Sequence, residues 1–277
     1  RARNFRYGLY PTPVSIVRVM SLETLLVDRA DGIVTVTMNR PEKKNAANAV
    51  MWNELLATFR EIAANPDDRV MVLTGAGGAF CSGADVSGMG ERQVHGLASM
   101  RHISDIALAL YRMPQPTIAK VRGVATGAGM NMALLCDLIV ASDNARFSEI
   151  FARRGLTIDF GGSWALPRRV GLHRAKELTL LTDIIDAAEA DRIGLVNRVV
   201  PDDQLDAFVD DWARRLAAGP PIALAQSKRL LNNAIGITLE PALDEEGAAQ
   251  TINFATKDTA EAVAAFLEKR EPKFQGR

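Results

Sequence analysis

Apolar and polar positions near the start of the chain follow first a strand-like and then a helix-like period. Segments 22–28 and 33–39 flank Asp31-Gly32, a dipeptide that is typical of a tight β-hairpin turn. Asn48 comes next, and it can cap a helix in which apolar residues recur on one face. The residues on that face are Met51, Leu55, Phe59 and Ile62. The pattern therefore predicts a hairpin followed by an amphipathic helix.

Short apolar segments, followed by glycine-rich loops and helices, make up the middle of the chain. Strands are predicted at 70–74, 117–121 and 138–141, and helices at about 103–110 and 128–136. The order of strand, loop and helix favours an α/β core in which the strands pair in parallel.

The last part of the chain has a helical pattern with no predicted strand between the helices. These helices are expected at 205–218, 222–234, 241–255 and 259–269. A segment of this kind packs either on its own core or on a neighbouring subunit. We therefore expect a core over 21–200 and a helical region over 201–277.

Residues 1–20 contain arginines but no acidic residue. An organellar transit peptide has this composition, but we favour a flexible leader in front of the core. The chain contains two cysteines, Cys81 and Cys136, which are too few for a disulfide scaffold and lack metal-ligand spacing. A reducing compartment is therefore expected, and we predict a cytoplasmic protein.

Charge and hydropathy exclude two classes of partner. The 277 residues include 33 basic and 33 acidic ones, so no net charge draws the chain to nucleic acid or to an anionic membrane. Apolar stretches are broken by Gly, Asn or Asp before the ~18 residues that a membrane span needs. A local basic site for a phosphorylated ligand is compatible with this balance.

Two glycine-rich loops that follow predicted strands are the most informative features. The first reads G-A-G-G-A-F-C-S-G-A-D over 75–85, and the second reads R-G-V-A-T-G-A-G over 122–129. The second opens a helix, whose first N–H groups are unpaired. Side by side, the loops could direct two backbone N–H groups at one developing oxyanion. Tight connections alone would also explain the glycines, whereas a dinucleotide site is not expected because neither loop fits GxGxxG.

Four motifs in order along the chain resemble the crotonase, or enoyl-CoA hydratase/isomerase, family. They are N-R-P-E-K-K-N-A (39–46), G-A-F-C-S-G-A-D (78–85), R-G-V-A-T-G-A-G-M-N-M-A-L-L-C-D (122–137) and R-R-G-L-T-I-D-F-G-G-S-W-A-L-P-R-R-V-G (153–171). The resemblance implies an α/β fold of the crotonase type, a spiral of ββα units. It also implies that the helical C-terminal region, 201–277, assembles a homotrimer or a dimer of trimers.

The same resemblance implies an acyl-CoA thioester as the substrate. Coenzyme A would be its carrier group, with no permanently bound cofactor and no metal. Two backbone N–H groups would polarise the thioester carbonyl, at the matching positions Ser82 and Ala128. The residues expected along the acyl-pantetheine are Ser82, Gly83, Ala84 and Asp85. Those expected to bind the CoA phosphates and adenine are Arg40, Lys43, Lys44, Ala46 and Lys269, although the charged ones would equally suit a solvated surface.

Two positions at which related hydratases carry glutamate hold other residues here. Asn131 stands three residues beyond Ala128, where its amide can orient water or a substrate but cannot exchange protons. Phe151 occupies the second position, which makes that wall of the acyl pocket apolar. Glu149, two residues earlier, is interpreted as structural or at the surface. Trp164 either lines the acyl pocket or simply packs.

With Asn131 and Phe151 at the two glutamate positions, Asp159 is the acid that the family resemblance places near the acyl chain. It lies between Ile158 and Phe160, so desolvation is expected to raise its pKa toward that of a base acting near neutral pH. Alternatively, its side chain caps a helix that starts near Gly161. We favour an enoyl-CoA isomerase in which Asp159 shuttles one proton while the two N–H groups hold the dienolate. Enoyl-CoA hydration and acyl-CoA binding without catalysis are the alternatives.

Overall fold

Two β-sheets and the helices around them make up the computed structural model, which describes residues 18–87 and 95–277. The strands are β1 (Arg18–Ser21), β2 (Leu25–Ala30), β3 (Ile33–Met38), β4 (Val70–Gly75), β5 (Thr117–Val121), β6 (Val124–Thr126), β7 (Leu138–Ser142), β8 (Arg146–Ser148), β9 (Ile185–Asp186) and β10 (Arg198–Val200). The α-helices are α1 (Ala49–Ala64), α2 (Gly96–Tyr111), α3 (Ala128–Leu135), α4 (Gly162–Val170), α5 (Leu172–Leu181), α6 (Ala187–Arg192), α7 (Leu205–Ala217), α8 (Pro221–Ala234), α9 (Leu239–Phe254) and α10 (Lys257–Glu268). Short 3-10 helices lie at Pro41–Lys43, Ile150–Arg154 and Asp202–Gln204.

The larger sheet orders its seven strands as β1-β2-β3-β4-β5-β7-β10, and the smaller one as β6-β8-β9. From β3 to β10 each neighbouring pair in the larger sheet runs parallel, so the predicted parallel α/β core is confirmed. The carboxyl ends of neighbouring parallel strands lie at the same edge of a sheet. The two glycine-rich loops, which follow β4 and β5, therefore leave the sheet side by side.

Local signals in the sequence are matched by local geometry at the start of the chain. Asp31 and Gly32 have φ values of 51° and 77°, and the tight turn between β2 and β3 needs these positive angles. Asn48 Oδ1 accepts a hydrogen bond of 2.9 Å from the Met51 N–H, so the predicted cap of α1 is confirmed.

Helices cover both faces of the larger sheet. On β4, Met71 and Leu73 belong to the apolar cluster that contains α1, whereas Val70 and Val72 belong to the cluster that contains α7. Alternate residues of a strand point to opposite faces, so the two clusters lie on opposite faces of the larger sheet. The buried residues of α7 are Leu205, Val209 and Ala213. Helix α7 is therefore a layer of the core, although it begins beyond residue 201.

Helices α8 to α10 bury far less of their surface than α7 does. Exposed large apolar residues on them include Leu231, Leu239, Leu243, Phe254, Phe266 and Leu267. An exposed apolar surface of this kind is compatible with a subunit interface, and the assembly of 201–277 into trimers stays a prediction.

The predicted leader falls mostly outside the described residues, which begin at Arg18. Its last residues enter strand β1, which pairs antiparallel with β2. The sheet therefore starts slightly before the boundary predicted at residue 21. No helix in 18–87 or 95–277 combines the length and the hydropathy that crossing a bilayer requires.

Backbone hydrogen bonds join the two glycine-rich loops. The Cys81 N–H donates to the Val124 carbonyl at 3.0 Å, and the Thr126 N–H donates to the Cys81 carbonyl at 3.0 Å. Together they form a parallel bridge between Cys81 and Ala125. The Thr126 hydroxyl adds a bond of 3.1 Å to the Ser82 carbonyl. The loops are therefore held at a fixed distance from each other.

Glycine is required at two points where these loops touch. At Gly83 φ is +96°, and an ideal Cβ would lie 2.9 Å from the carbonyl oxygen of Thr126. At Gly129 an ideal Cβ would overlap the carbonyl oxygen of Cys81 and lie 2.7 Å from the Cys81 Cβ. Real Cβ atoms do not approach other atoms this closely, so a side chain here would force the loops apart.

Replacing Gly129 by alanine is expected to lower the free energy of unfolding by about 1–3 kcal/mol, because the added methyl overlaps the Cys81 backbone. Urea unfolding measures this loss. The matched control is Gly247→Ala in α9, where a Cβ meets nothing within 4 Å. The control should gain up to about 1 kcal/mol from the better helix propensity of alanine. Equal stabilities of the two variants would contradict the close approach of the loops.

Candidate active site

The first glycine-rich loop offers a free backbone donor next to the second loop, at a position other than the predicted one. The Ser82 N–H donates to the Lys44 carbonyl oxygen at 3.0 Å, so the expectation that Ser82 supplies a free donor is wrong. The Ala84 N–H, two residues on, has no partner within 18–87 and 95–277. Ala84 forms a parallel bridge with Ala47 that uses the backbone groups on either side of Ala84 and leaves its own N–H unbonded.

The second loop contributes the N–H of Ala128, as predicted. Ala128 is the first residue of α3, so its N–H has no acceptor within the helix, and no other described residue accepts from it. An ideal Cβ on Gly83 would lie 3.7 Å from the Ala128 nitrogen, and Gly83 directly precedes Ala84. Two free N–H groups from different loops therefore lie close together at the positive end of a helix dipole. This arrangement suits an oxygen that develops negative charge.

Asp159 supplies an acid from a third segment, between the 3-10 helix Ile150–Arg154 and α4. Its side chain is partly buried, and its Oδ1 is shielded from solvent without a hydrogen-bond partner in the described part of the chain. Burial raises the pKa of Asp159 to about 6. Such a carboxyl group is ionised at neutral pH and still basic enough to take a proton.

The backbone around Asp159 rules out the capping alternative. Helix α4 has Gly161 as its N-cap and receives no side-chain capping bond. The Gly162 N–H donates instead to the main-chain carbonyl of Asp159 at 2.9 Å. Phe160 holds a positive φ of 49°, which costs an L-residue about 1–3 kcal/mol, and its ring packs on Trp52 with centroids 5.6 Å apart. The turn therefore leaves the carboxylate of Asp159 free.

Asn131 links this turn to α3. It is fully buried, and its Nδ2 donates to the main-chain carbonyl of Asp159 at 3.0 Å and to Glu149 Oε2 at 3.4 Å. An ideal Cβ at Gly162 would overlap the Asn131 amide, so this amide occupies the space that only a glycine leaves. The Asn131 side chain thus holds the main chain of Asp159 in place.

Glu149 is a member of this group that the sequence did not reveal. It is fully buried, so of the two interpretations offered for it, structural or at the surface, the surface one is wrong. Burial is the main cause that raises its pKa to about 8; the Asn131 hydrogen bond lowers this pKa, and the charge of Asp159 raises it. Residue spacing could not indicate this placement, because Glu149 stands at the N-cap of an irregular 3-10 helix whose direction is set by contacts with distant segments.

The apolar candidates Phe151 and Trp164 lie in different surroundings. Phe151 is 7% exposed, and its Cζ would lie 3.6 Å from a Cβ on Gly127, so it forms an apolar wall beside the second loop. Trp164 lines a cavity of about 920 Å³ between α2, α4 and α8, where it meets Tyr111 edge-on at 5.2 Å. Gly161 also lines this cavity, which therefore reaches the turn that follows Asp159.

The predicted CoA-binding residues divide into paired and free cations. Arg40 donates to Asp85 at 3.0 Å and to the Ala46 carbonyl oxygen, so its charge is paired within the protein, and its contact with a phosphate stays a prediction. Hydrogen bonds from Ser87, followed by Arg40, lower the pKa of Asp85 to about 2. Asp85 therefore fixes the loop. The exposed residues of the predicted group are Lys43, Lys44 and Lys269, the last at the end of α10.

The remaining reactive side chains lie in the core. Cys81 and Cys136 are buried, and burial raises their pKa values to about 11 and about 12, so neither is a thiolate at neutral pH. Within 18–87 and 95–277, no group of three His, Cys, Asp or Glu side chains could hold a metal ion.

Comparisons with known proteins match nearly the whole chain. The family model described as Enoyl-CoA hydratase/isomerase matches residues 28–277. A protein of Rhodobacter capsulatus named "Probable enoyl-CoA hydratase" is 38% identical, over 93% of this chain and 100% of the relative. The 1,2-epoxyphenylacetyl-CoA isomerase of Escherichia coli is 36% identical, over 92% of this chain and 100% of the relative. The crystal structure of an enoyl-CoA hydratase from Mycobacterium smegmatis has a TM-score of 0.86 at 35% identity, and the match covers 91% of this chain and 99% of that one.

The stability of the protein is expected to depend on the ionisation of Glu149. Because its pKa is raised to about 8, the folded chain keeps a proton that the unfolded chain loses near pH 4.5. The wild type should therefore lose stability relative to Glu149→Gln as pH rises from about 5 to about 8, by at most about 1.4 kcal/mol per pH unit. Urea unfolding across this range measures the difference, with the exposed substitution Glu42→Gln as control. A constant difference would contradict the raised pKa of Glu149.

Proposed function

The chain belongs to the enoyl-CoA hydratase/isomerase family, and from that premise we propose that it moves the double bond of an enoyl-CoA thioester, with Asp159 as the acid/base. The observation that carries the proposal is the shielded and unpartnered Oδ1 of Asp159, beside a turn that Asn131 holds in place. A carboxylate without a structural partner is available to take a proton from a substrate.

The proposed mechanism begins with the thioester carbonyl oxygen accepting hydrogen bonds from the N–H groups of Ala84 and Ala128. These bonds strengthen as the oxygen becomes negative, so they stabilise the enolate more than the ground state. Ala84 replaces Ser82 as the donor in the first loop, because the Ser82 N–H is bonded to Lys44. Since both donors belong to the main chain, their side chains do not enter the chemistry.

Asp159 then moves one proton between two carbons of a 3-enoyl-CoA. It removes a proton from C2, which breaks the C2–H bond and leaves a dienolate with its charge on the thioester oxygen. It next delivers the same proton to C4, so that the C3=C4 bond is replaced by C2=C3. No oxidant, reductant or water is consumed. The product is the conjugated 2-enoyl-CoA.

Water addition is the second candidate, and two observations favour it. Relatives of the chain are named as enoyl-CoA hydratases, and Glu149 provides a second carboxyl group near Asp159. Against it, Asn131 stands where a second acid would be needed, donates to Glu149 and to the main chain of Asp159, and cannot itself exchange protons. A third reading, acyl-CoA binding without turnover, would leave the free carboxylate of Asp159 without a role.

The carrier group and the assembly follow the family as proposals. Coenzyme A would enter as part of the substrate, with Lys43, Lys44 and Lys269 as the exposed cations that suit its phosphates. No permanently bound cofactor is proposed. The apolar surface of α8–α10 supports a homotrimer or a dimer of trimers.

Asp159→Asn is expected to lower kcat for conversion of a 3-enoyl-CoA by about 10²–10⁴-fold, because the amide cannot accept the C2 proton. Absorbance of the conjugated thioester follows the reaction. Asp210→Asn, an exposed substitution on α7, is the matched control. Conversion by Asp159→Asn at the wild-type rate would overturn the assignment of the acid.

The same assay separates the other functions when a 2-enoyl-CoA in water is compared with the 3-enoyl-CoA. A gain of conjugated absorbance from the 3-enoyl-CoA, with the absorbance of the 2-enoyl-CoA stable, supports the isomerase. Faster loss of that absorbance through water addition would establish a hydratase instead. Tight binding of both thioesters with no turnover would establish a binding protein.

Ala128→Pro is expected to lower kcat by about 10²–10³-fold, because proline removes one donor of the oxyanion site. Proline is tolerated at the first residue of a helix, so α3 should form normally. Ala128→Gly keeps the N–H and serves as the control, and circular dichroism verifies the fold of both. Unchanged kcat in a folded Ala128→Pro protein would show that this N–H does not contact the thioester.

A further inference from the structure

Glu149 is a buried acid that the proposed proton transfer does not use. Its residue has no solvent-exposed surface, and its Oε1 has no hydrogen-bond partner among the described residues. Burying a polar group without a partner destabilises a fold by about 1–3 kcal/mol. A group with this placement calls for a physical explanation.

Two neighbours of Glu149, Asn131 and Asp159, also have a buried oxygen without a hydrogen-bond donor among the described residues. Asn131 Nδ2 donates to Glu149 Oε2 and to the main chain of Asp159, so it connects both acids. Each of the three side chains also has one buried oxygen without a donor in 18–87 and 95–277: Asn131 Oδ1, Glu149 Oε1 and Asp159 Oδ1. These oxygens can only accept hydrogen bonds, and no donor from the described part of the chain reaches them. A proton on one of the two carboxyl groups would supply a donor.

No cation of the surrounding elements compensates a second negative charge, as far as the structure describes them. Helix α3 has no titratable residue. On α4, Arg168 stacks over Trp164, and Arg169 donates to the main-chain carbonyls of Leu134 and Cys136. These arginines are therefore engaged elsewhere.

The other neighbouring elements also direct their charges away from Glu149. On its own 3-10 helix, Arg153 and Arg154 are exposed, and Arg153 binds Thr182 and Asp183. On α5, Arg174 pairs with Glu177. The remaining titratable residues of α5 are His173 and Lys176, both exposed. The charged group that does act on Glu149 is Asp159, which has the same sign.

Two acids that share a site without a cation do not both ionise near neutral pH, and the more buried one keeps its proton. Asp159 is partly exposed and has a pKa of about 6, whereas Glu149 is fully buried and has a pKa of about 8. The order of ionisation follows from burial: Asp159 becomes the base first, and Glu149 stays neutral behind it.

We propose that Glu149 is a positioning residue that must be protonated for the proposed isomerisation to proceed: it accepts a hydrogen bond from the Asn131 amide that holds the Asp159 turn, and its proton keeps a second negative charge out of the site. This inference rests on the proposed role of Asp159. Glu149 exchanges no proton with the substrate. When it ionises, a second negative charge lies beside Asp159 and near the place where the dienolate forms, so the charge of the transition state is less well stabilised.

The consequence is a pH profile with two limbs. At low pH the rate rises as Asp159 ionises, with an apparent pKa near 6, and at high pH it falls as Glu149 ionises, near 8. The test is the pH dependence of kcat for a 3-enoyl-CoA in the wild type and in Glu149→Gln. The glutamine cannot ionise, so the alkaline limb should disappear while the acid limb remains. A residue that only fills space would leave the alkaline limb in place, and an unchanged alkaline limb would overturn the proposal.

Infrared spectroscopy of the free protein tests the protonation state without turnover. The wild type at pH 7 should show the C=O band of a neutral carboxylic acid that is absent from Glu149→Gln and present in Asp159→Asn. In Asp159→Asn this band should also vanish at a lower pH than in the wild type, because the charge that raises the pKa of Glu149 is gone. Identical bands in the wild type and Glu149→Gln would overturn the proposal.

The two proposals fail in different ways. If Asp159→Asn isomerises at the wild-type rate, the proposed function fails, and the infrared band still reports whether Glu149 holds a proton. If Asp159→Asn is inactive and Glu149→Gln keeps the alkaline limb, the proposed isomerisation by Asp159 is supported and the proposed role of Glu149 is wrong. Urea unfolding at about pH 5, where both forms of residue 149 are neutral, verifies that Glu149→Gln folds.

Discussion

The parallel backbone bridge between Cys81 and Ala125 is the contact on which the site depends. It joins two loops that leave neighbouring parallel strands at the same edge of the sheet, and it sets how close they come. Gly83 and Gly129 permit this approach because a Cβ at either position would meet the opposite loop. The N–H groups of Ala84 and Ala128 converge only as a result of this pairing. The proposed oxyanion site would therefore be a property of backbone geometry.

Asp159, the proposed acid, comes from a different part of the fold and is positioned by different contacts. Asp159 stands in a turn held by the Asn131 amide, by the Gly162 N–H and by the packing of Phe160 on Trp52. All of these contacts use the main chain or the neighbouring ring, and none of them engages the carboxylate. The turn is therefore positioned without using the side chain that we propose as the acid.

Burial has two opposite effects in this region. It leaves three oxygens without donors, of Asn131, Glu149 and Asp159, which lowers the stability of the fold. The same burial raises the pKa of both carboxyl groups, to about 6 and about 8, and so separates their ionisation. Sites that carry out chemistry commonly have such locally unfavourable arrangements. Here the loss of stability and the separation of the two pKa values have a single physical origin, the removal of water.

The sequence by itself determined the local elements and the class of the site. The Asp31-Gly32 turn, the Asn48 cap, the buried stripe of α1 and the order of strands and glycine loops depend on neighbours a few residues apart, so they can be predicted from the chain. Tertiary structure alone decided which donors are free and which acids are buried. The Ser82 N–H donates to the Lys44 carbonyl, the Arg40 guanidinium pairs with Asp85, and Glu149 is buried beside Asn131. Each of these outcomes depends on a contact between residues far apart in the chain, and such a contact leaves no periodic pattern in the sequence.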